Sequence, residues 1–237
     1  MRKKGIVIAI DGPVGSGKST TAREVARRLG YLYLDTGAMY RALGLGLLRA
    51  GISPDEGETA VRMAREARID LRLHPRGQQT LLDGEDVSGA IRTAEASDAA
   101  SRVAAHPEVR EVLVGLQQEI GRDGGIVLEG RDTGTVVFPD AELKIFLVAD
   151  VAERARRRFL EMAGEAGDFS TLIEQIRARD ARDEATQLKM GEWPTADAVR
   201  LDTTGLSLEE QVDRVVRLAL ERGGGSVPEG GRGEGPV

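Results

Sequence analysis

Short continuous apolar runs alternate along this chain with stretches whose apolar residues recur every three or four positions. Ile6–Ile10 is an uninterrupted apolar run between Gly5 and Asp11-Gly12, the pattern of a strand buried on both faces of a parallel sheet. In Lys18–Leu29, Ala22, Val25, Ala26 and Leu29 fall at i, i+3, i+4 and i+7. That spacing predicts an amphipathic helix, with Gly30 as its stop. Tyr31–Leu34 reads as a second strand and Ala38–Ala50, ended by Gly51, as a second helix. Gly125–Glu129 and Lys144–Val148 read as two more buried strands. Ala198–Leu201 is a fifth, ahead of a helix whose Ser207 and Glu210 have capping-box spacing. Strands alternating with helices predict βαβ units and a mostly parallel sheet covered on both faces.

Two regions break the alternation. From Ile69 to Val87, Ile69, Leu71 and Leu73 alternate with polar residues, and Pro75-Arg76-Gly77 and Asp83-Gly84 are turn sequences, so a small antiparallel insert is expected. From Val151 to Ala185 the pattern is helical and dense in arginine and acid; it fits a solvated face or, more sharply, a mobile lid. Residues Gly223–Val237 hold seven glycines and two prolines with nothing to bury, which predicts a disordered tail.

Composition narrows the class. A chain of 237 residues, 41% hydrophobic and 30% charged, suits one globular unit with a real core. No apolar run approaches the roughly 20 residues that cross a bilayer, and the apolar stretch after the basic Met1–Gly5 is too short for a secretion signal. A cytoplasmic protein without a membrane partner is therefore expected. The absence of cysteine excludes disulfides, thiol nucleophiles and cysteine–zinc sites. His74 and His106, the only histidines, leave little for a histidine triad or metal site. The net charge is −6, yet 28 of the 33 basic residues are arginine and five are lysine. An acidic chain is a poor coat for nucleic acid, whereas arginine suits forked recognition of phosphate.

The chemistry begins at Gly12-Pro13-Val14-Gly15-Ser16-Gly17-Lys18-Ser19, which matches G-x-x-x-x-G-K-[ST] between a predicted strand and a predicted helix. Glycines let successive N–H groups turn inward onto phosphate oxygens, and the helix starting near Lys18 aims its positive end at the same anion. Lys18 reaches the β- and γ-phosphates, and Ser19 supplies a hydroxyl to Mg²⁺. The donor site so predicted spans Asp11, Gly12, Pro13, Val14, Gly15, Ser16, Gly17, Lys18, Ser19 and Thr20. This motif binds a nucleoside triphosphate but does not name the acceptor. Two further segments lie at predicted strand ends, where open α/β sheets bind ligands: Asp35-Thr36-Gly37-Ala38-Met39-Tyr40-Arg41 and Gly130-Arg131-Asp132-Thr133-Gly134. A second anion site facing the first is the design of a small-molecule kinase.

At these residues the chain resembles the bacterial cytidylate kinases of the nucleoside monophosphate kinase family. The resemblance rests on Ile8–Pro13 leading into the phosphate loop, on Asp35–Arg41, on Gly84–Gly89 with Ile91-Arg92-Thr93, and on Ser101–Arg110. It continues through Gly130–Ala141, the most specific block, to Asp202–Ser207. It implies transfer of the ATP γ-phosphoryl group to CMP or dCMP, with ATP and Mg²⁺ required, by a monomer that takes no nucleic acid. It also implies a three-layer phosphate-loop fold with a five-stranded parallel sheet. In this scheme 1–222 is one kinase domain: a core of 1–58, 103–150 and 195–222, a monophosphate-binding insert at about 59–102, a helical lid at about 151–194, and the tail 223–237 outside it.

Carried over by position, Asp35, Thr36, Gly37, Tyr40, Arg41 and Arg92 belong to the acceptor site, with Arg41 and Arg131 as clamps for the monophosphate. Ser101, Arg110 and Asp132 correspond to the readers of cytosine. In the lid, Arg154, Arg157 and Arg158 correspond to arginines on the ATP side, and Arg179 and Asp183 to residues closing over the acceptor phosphate and ribose. Lys18, Arg131, Arg158 and Arg179 are the catalytic set. One position departs from the family: an arginine is usual three residues after that aspartate, and this chain has Thr186, which offers no charged fork. Gln187 and Lys189 are candidate substitutes. Two alternatives stay open: a phosphate-loop kinase with another acceptor, such as UMP or shikimate, and a nucleotide-binding switch or nucleic-acid-stimulated ATPase.

Overall fold

The computed structural model describes residues 2–74, 77–161, 168–188 and 193–223. Its centre is a five-stranded parallel sheet of β1 (Val7–Asp11), β2 (Leu32–Asp35), β6 (Ile126–Gly130), β7 (Leu143–Val148) and β8 (Val199–Asp202), ordered β2-β6-β1-β7-β8. The continuous apolar run is buried because both faces of β1 are covered. Ile6, Ile8 and Ile10 pack with Ala22, Val25, Ala26 and Leu29 of α1 (Lys18–Leu29) and with Val212, Val215 and Val216 of α8 (Leu208–Glu221). The alternate residues Val7 and Ala9 meet Leu34, Leu128, Val137 and Phe138 on the other face, as the two-residue period of a strand requires. β1 is hydrogen-bonded to β6 on one side and β7 on the other, so the loop leaving its carboxyl end opens at the middle of the sheet.

The periodic signals locate most elements to within two residues. α1 begins at Lys18 and stops at Gly30, whose φ is 68°. α2 (Thr36–Arg49) starts two residues before the apolar pattern, because the Asp35 side chain accepts the Ala38 N–H at 3.0 Å and caps the helix earlier. Ser207 and Glu210 form the reciprocal capping box at the start of α8. The insert is antiparallel, with β3 (Ile69–His74), β4 (Gly77–Leu82) and β5 (Glu85–Asp86) in that order. Residues 75 and 76 of its first turn lie outside the described residues, as do 224–237 of the expected tail.

Three helices have no counterpart in the pattern analysis: α3 (Gly57–Glu66), α4 (Ala94–Val103) and α5 (Pro107–Gly121). The buried faces of α3 and α4 are built largely from alanine, too small to stand out as a stripe; α5 buries Val109, Leu113 and Val114 beside Arg110 and Gln117, a mixed face with no alanine. α4 lies so close to α2 that a Cβ on Gly44 would come within 2.9 Å of the Ala99 Cβ. Where one long helical stretch was expected, the lid holds α6 (Val151–Glu161) and α7 (Phe169–Leu188), packed through Ala155, Leu172 and Ile176.

Candidate active site

The phosphate loop needs glycine at its turns. Gly12 has φ 151°, and a Cβ there would sit 2.3 Å from the Leu147 carbonyl oxygen. Gly17, immediately before α1, has φ 90°. Asp11, at the end of β1, is not a cleft residue: its buried carboxylate accepts the Thr133 N–H (2.9 Å), the Thr133 hydroxyl (2.8 Å) and the Gly134 N–H (2.9 Å). It ties the root of the phosphate loop to the loop after β6. Burial still dominates its electrostatics and raises its pKa to about 6, against the pull of those donors. Lys18 donates to the Pro13 carbonyl at 3.1 Å. Burial, then the neighbouring Arg131 charge, lowers its pKa to about 7, with Glu129 acting in the opposite sense.

One cleft of about 600 Å³ runs from this loop to the insert. Val14, Gly15, Gly17, Lys18, Ser19 and Thr20 of the phosphate loop line it, together with Asp35, Thr36, Gly37, Tyr40, Arg41, Arg92, Ser101, Arg110, Arg131 and Asp132, the residues expected to take the acceptor. Arg158, Arg179 and Asp183 reach it from the lid. Nine basic side chains line the cleft against five carboxylates, so it suits an anionic occupant. The excess charge already perturbs its neighbours: burial and then Arg131 lower the Arg179 pKa to about 10. Burial opposes the charge of Arg131 most strongly, but Asp183, Glu129 and Asp11 together outweigh it and raise that pKa. Arg131 Nε donates to Asp183 at 2.7 Å, while Arg41 and Arg92 share the Asp35 carboxylate at 2.6 and 3.3 Å. The Nε atoms of Arg41 and Arg179 are buried without a hydrogen-bond partner. At the far end Arg110 and Asp132, both buried, form an ion pair. Burial, then the charge of Asp132, raises the pKa of the nearby Tyr40 phenol.

Two lid arginines expected on the ATP side contact the phosphate loop itself and do not line the cleft. Arg154 donates to the Val14 carbonyl at 3.1 Å and to Asp180 at 2.6 Å, and its backbone packs on Gly15. Arg157 donates to the Ser16 carbonyl at 3.3 Å and to the Thr203 carbonyl at 2.7 Å. Together they clasp the loop from outside and join it to the end of β8. Thr186 lines the cleft, but its hydroxyl donates to the Arg182 carbonyl at 2.9 Å. Gln187 also lines the cleft; Lys189 lies outside the described residues.

The sequence model of cytidylate kinase matches residues 8–221. A cytidylate kinase of Desulfitobacterium hafniense is 50% identical over 218 residues, covering 91% of this chain and 93% of that protein. One from Chlorobaculum tepidum is 48% identical, covering 92% and 94%, and one from a Geobacillus species is 45% identical, covering 93% and 99%. The chain belongs to the cytidylate kinase family. Among solved structures, an uncharacterized protein from Eubacterium ventriosum shares the fold, with a TM-score of 0.53 at 11% identity over 90% of this chain and 98% of that one.

The cytidylate kinase site also contains residues that motif reading passed over. Glu129, buried at the end of β6, lines the cleft and accepts from the Tyr33 hydroxyl at 3.2 Å. Its signal was a single acid closing an apolar strand ahead of Gly130. Gln78 of β4 exchanges hydrogen bonds with the Asp35 backbone, accepting from its N–H at 2.9 Å and donating to its carbonyl at 3.3 Å. That pairing pins the insert to the end of β2, where α2 begins, and nothing in local sequence announces it. The Ser19 hydroxyl and the Glu129 carboxylate share the cleft, and hard oxygen donors of this kind fit magnesium. Mg²⁺ is ordinarily held by one or two protein oxygens, substrate phosphates and water rather than by an all-protein cage. No helix among the described residues is long and apolar enough to cross a membrane.

Proposed function

We propose that this chain transfers the γ-phosphoryl group of ATP to CMP or dCMP, giving ADP and CDP or dCDP, by direct in-line displacement inside one cleft. The observation that carries the reading is the buried Arg110–Asp132 pair at the opposite end of the cleft from Lys18. The pair offers a donor beside an acceptor. Cytosine presents the complement, with an N3 acceptor beside the N4 amine donor. Uracil reverses both, leaving buried groups unpaired, which is how such a site disfavours UMP.

The protein has little covalent work to do, so positioning and charge neutralisation carry the rate. The acceptor phosphate is itself the nucleophile, with its second pKa near 6, and no protein base is needed. Arg41 and Arg131 hold that phosphate, and Arg92 supports Arg41 through Asp35. Lys18, whose free-state pKa is about 7, becomes fully charged beside the triphosphate. Arg158 and Arg179 bring lid charge to the transferring group. Arg154 and Arg157 hold the phosphate-loop carbonyls outward, leaving the loop N–H groups for the phosphates. Ser19, with Glu129, would hold Mg²⁺, which would supply charge neutralisation for the nucleotide phosphates. Asp183, paired with Arg131 in the free protein, is exchanged for the incoming phosphate and turns to the ribose hydroxyls. The same reading makes the enzyme a cytoplasmic monomer acting on free nucleotides.

The test is a coupled ADP assay with CMP, dCMP, UMP, AMP and shikimate as acceptors. CMP and dCMP should be turned over efficiently, UMP weakly, and AMP and shikimate not at all. AMP turnover equal to that of CMP overturns the reading, and ATP consumption that needs no acceptor returns the chain to the ATPase class.

A further inference from the structure

The chain returns from the lid to β8 through Trp193–Ala198, and this return leg is fastened to the acceptor side of the core rather than to the lid. The Trp193 indole N–H donates to the Arg131 backbone carbonyl. Its ring stands edge-on to Phe146 of β7, with centroids 5.0 Å apart and planes at 88°. Four residues on, Asp197 pairs with the buried Lys144 at 2.9 Å. Phe146 is the register partner of Asp11, so the indole rests on the strand beside the phosphate-loop root. Two of the three attachments fix the ring and the backbone around it, and the third is directed at one carbonyl.

That carbonyl belongs to the peptide between Arg131 and Asp132. The Arg131 side chain extends to Asp183 on the lid and the Asp132 side chain to Arg110 on α5. A shift of the backbone at this one peptide would carry the Cα atoms of the phosphate clamp and the base reader together. Inside the loop the Asp11 carboxylate holds the next two N–H groups, of Thr133 and Gly134, and makes no contact with the 131–132 peptide itself. Trp193 supplies the missing restraint from the outer side.

We propose that Trp193 is a positioning residue for the acceptor site: its indole N–H fixes the 131–132 peptide and so sets Arg131 and Asp132 in the orientation that receives the nucleoside monophosphate. This rests on the reading of Arg131 as the acceptor clamp. Trp193→Phe is the informative change, since phenylalanine retains a ring against Phe146 and lacks the N–H. Loss of one directed hydrogen bond predicts a rise of about five- to tenfold in KM for CMP, with kcat and the KM for ATP each within about twofold of wild type.

Trp193 is also the only tryptophan in the chain, so the emission of the unmodified protein reports on this contact. Titration with CMP should change the emission and saturate, while a non-hydrolysable ATP analogue alone should leave it unaltered. This arm needs no variant and stands even if Trp193→Phe fails to fold. An unchanged KM for CMP, equal rises in the KM values for CMP and ATP, or emission indifferent to CMP overturns the proposal. Arg131→Ala separates the two levels: if its KM for CMP is normal, the clamp reading itself falls. If Arg131→Ala is impaired while Trp193→Phe is normal, only the role of Trp193 falls.

Discussion

Replacing Lys18 by methionine should make the free protein more stable while abolishing its activity. Lys18 is only 7% exposed, and burial followed by the charge of Arg131 takes its pKa from 10.5 to about 7. Because the folded pKa lies below the unfolded one, the unfolded chain holds more protons between those values, and Lys18 opposes folding most at and below pH 7. At pH 7 the cost is about 4 kcal/mol, from 1.36 kcal/mol per pKa unit. Methionine keeps an unbranched side chain of similar length without the charge. It forfeits the hydrogen bond to the Pro13 carbonyl, worth about 1 kcal/mol. The net gain is then about 2–3 kcal/mol at pH 7, or roughly 5–10 °C in Tm for a chain of this size. The gain shrinks as pH rises toward 10, where the unfolded lysine also loses its proton. Thermal or urea unfolding of both proteins at pH 7 and pH 9.5, beside the coupled ADP assay, measures it. A variant less stable than wild type at pH 7, or an advantage that does not shrink at the higher pH, refutes the reasoning; so does a variant that keeps normal turnover.

Further outcomes follow from the same geometry. Triphosphate binding at pH 8 should be accompanied by uptake of up to about one proton as Lys18 regains its charge, seen by calorimetry in buffers of different ionisation enthalpy; binding heats independent of buffer contradict this. Asp132→Ala leaves Arg110 buried without its counter-ion and should cost about 3–5 kcal/mol in urea unfolding. In the assay it should raise the KM for CMP far more than the KM for ATP, and equal losses would remove it as a base reader. Asp11→Ala strands the Thr133 and Gly134 N–H groups and should cost about 2–5 kcal/mol; a urea midpoint within error of wild type would show the carboxylate is dispensable.

The elements that sequence pattern located are those whose signal is local. A strand covered on both faces must be apolar throughout, so Ile6–Ile10 announces itself. A helix packed along one stripe must repeat at three and four, so Lys18–Leu29 does too. The phosphate loop was legible because its backbone conformation restricts Gly12 and Gly17 to glycine. α3 and α4 escaped because alanine faces pack through close approach, and close approach depends on the partner: Gly44 signifies nothing until Ala99 lies against it; in α5 the buried Arg110 and Gln117 interrupt the apolar face.

The site divides along the same line. Sequence alone determined the fold class, the triphosphate loop and, through ordered blocks of resemblance, which side chains to expect around an acceptor. Only the tertiary structure decided what those side chains do in the free protein. It bonded Arg154 and Arg157 to the carbonyls of the phosphate loop, gave Asp11 to the Thr133–Gly134 backbone, and brought Glu129, Gln78 and Trp193 to positions that no motif marks. The reason is physical. Backbone conformation and one-sided burial are imposed on each residue by its near neighbours in the chain. The pKa of Lys18 and the partners of an arginine are set by charges and carbonyls that lie far away in sequence and become neighbours only when the sheet is assembled.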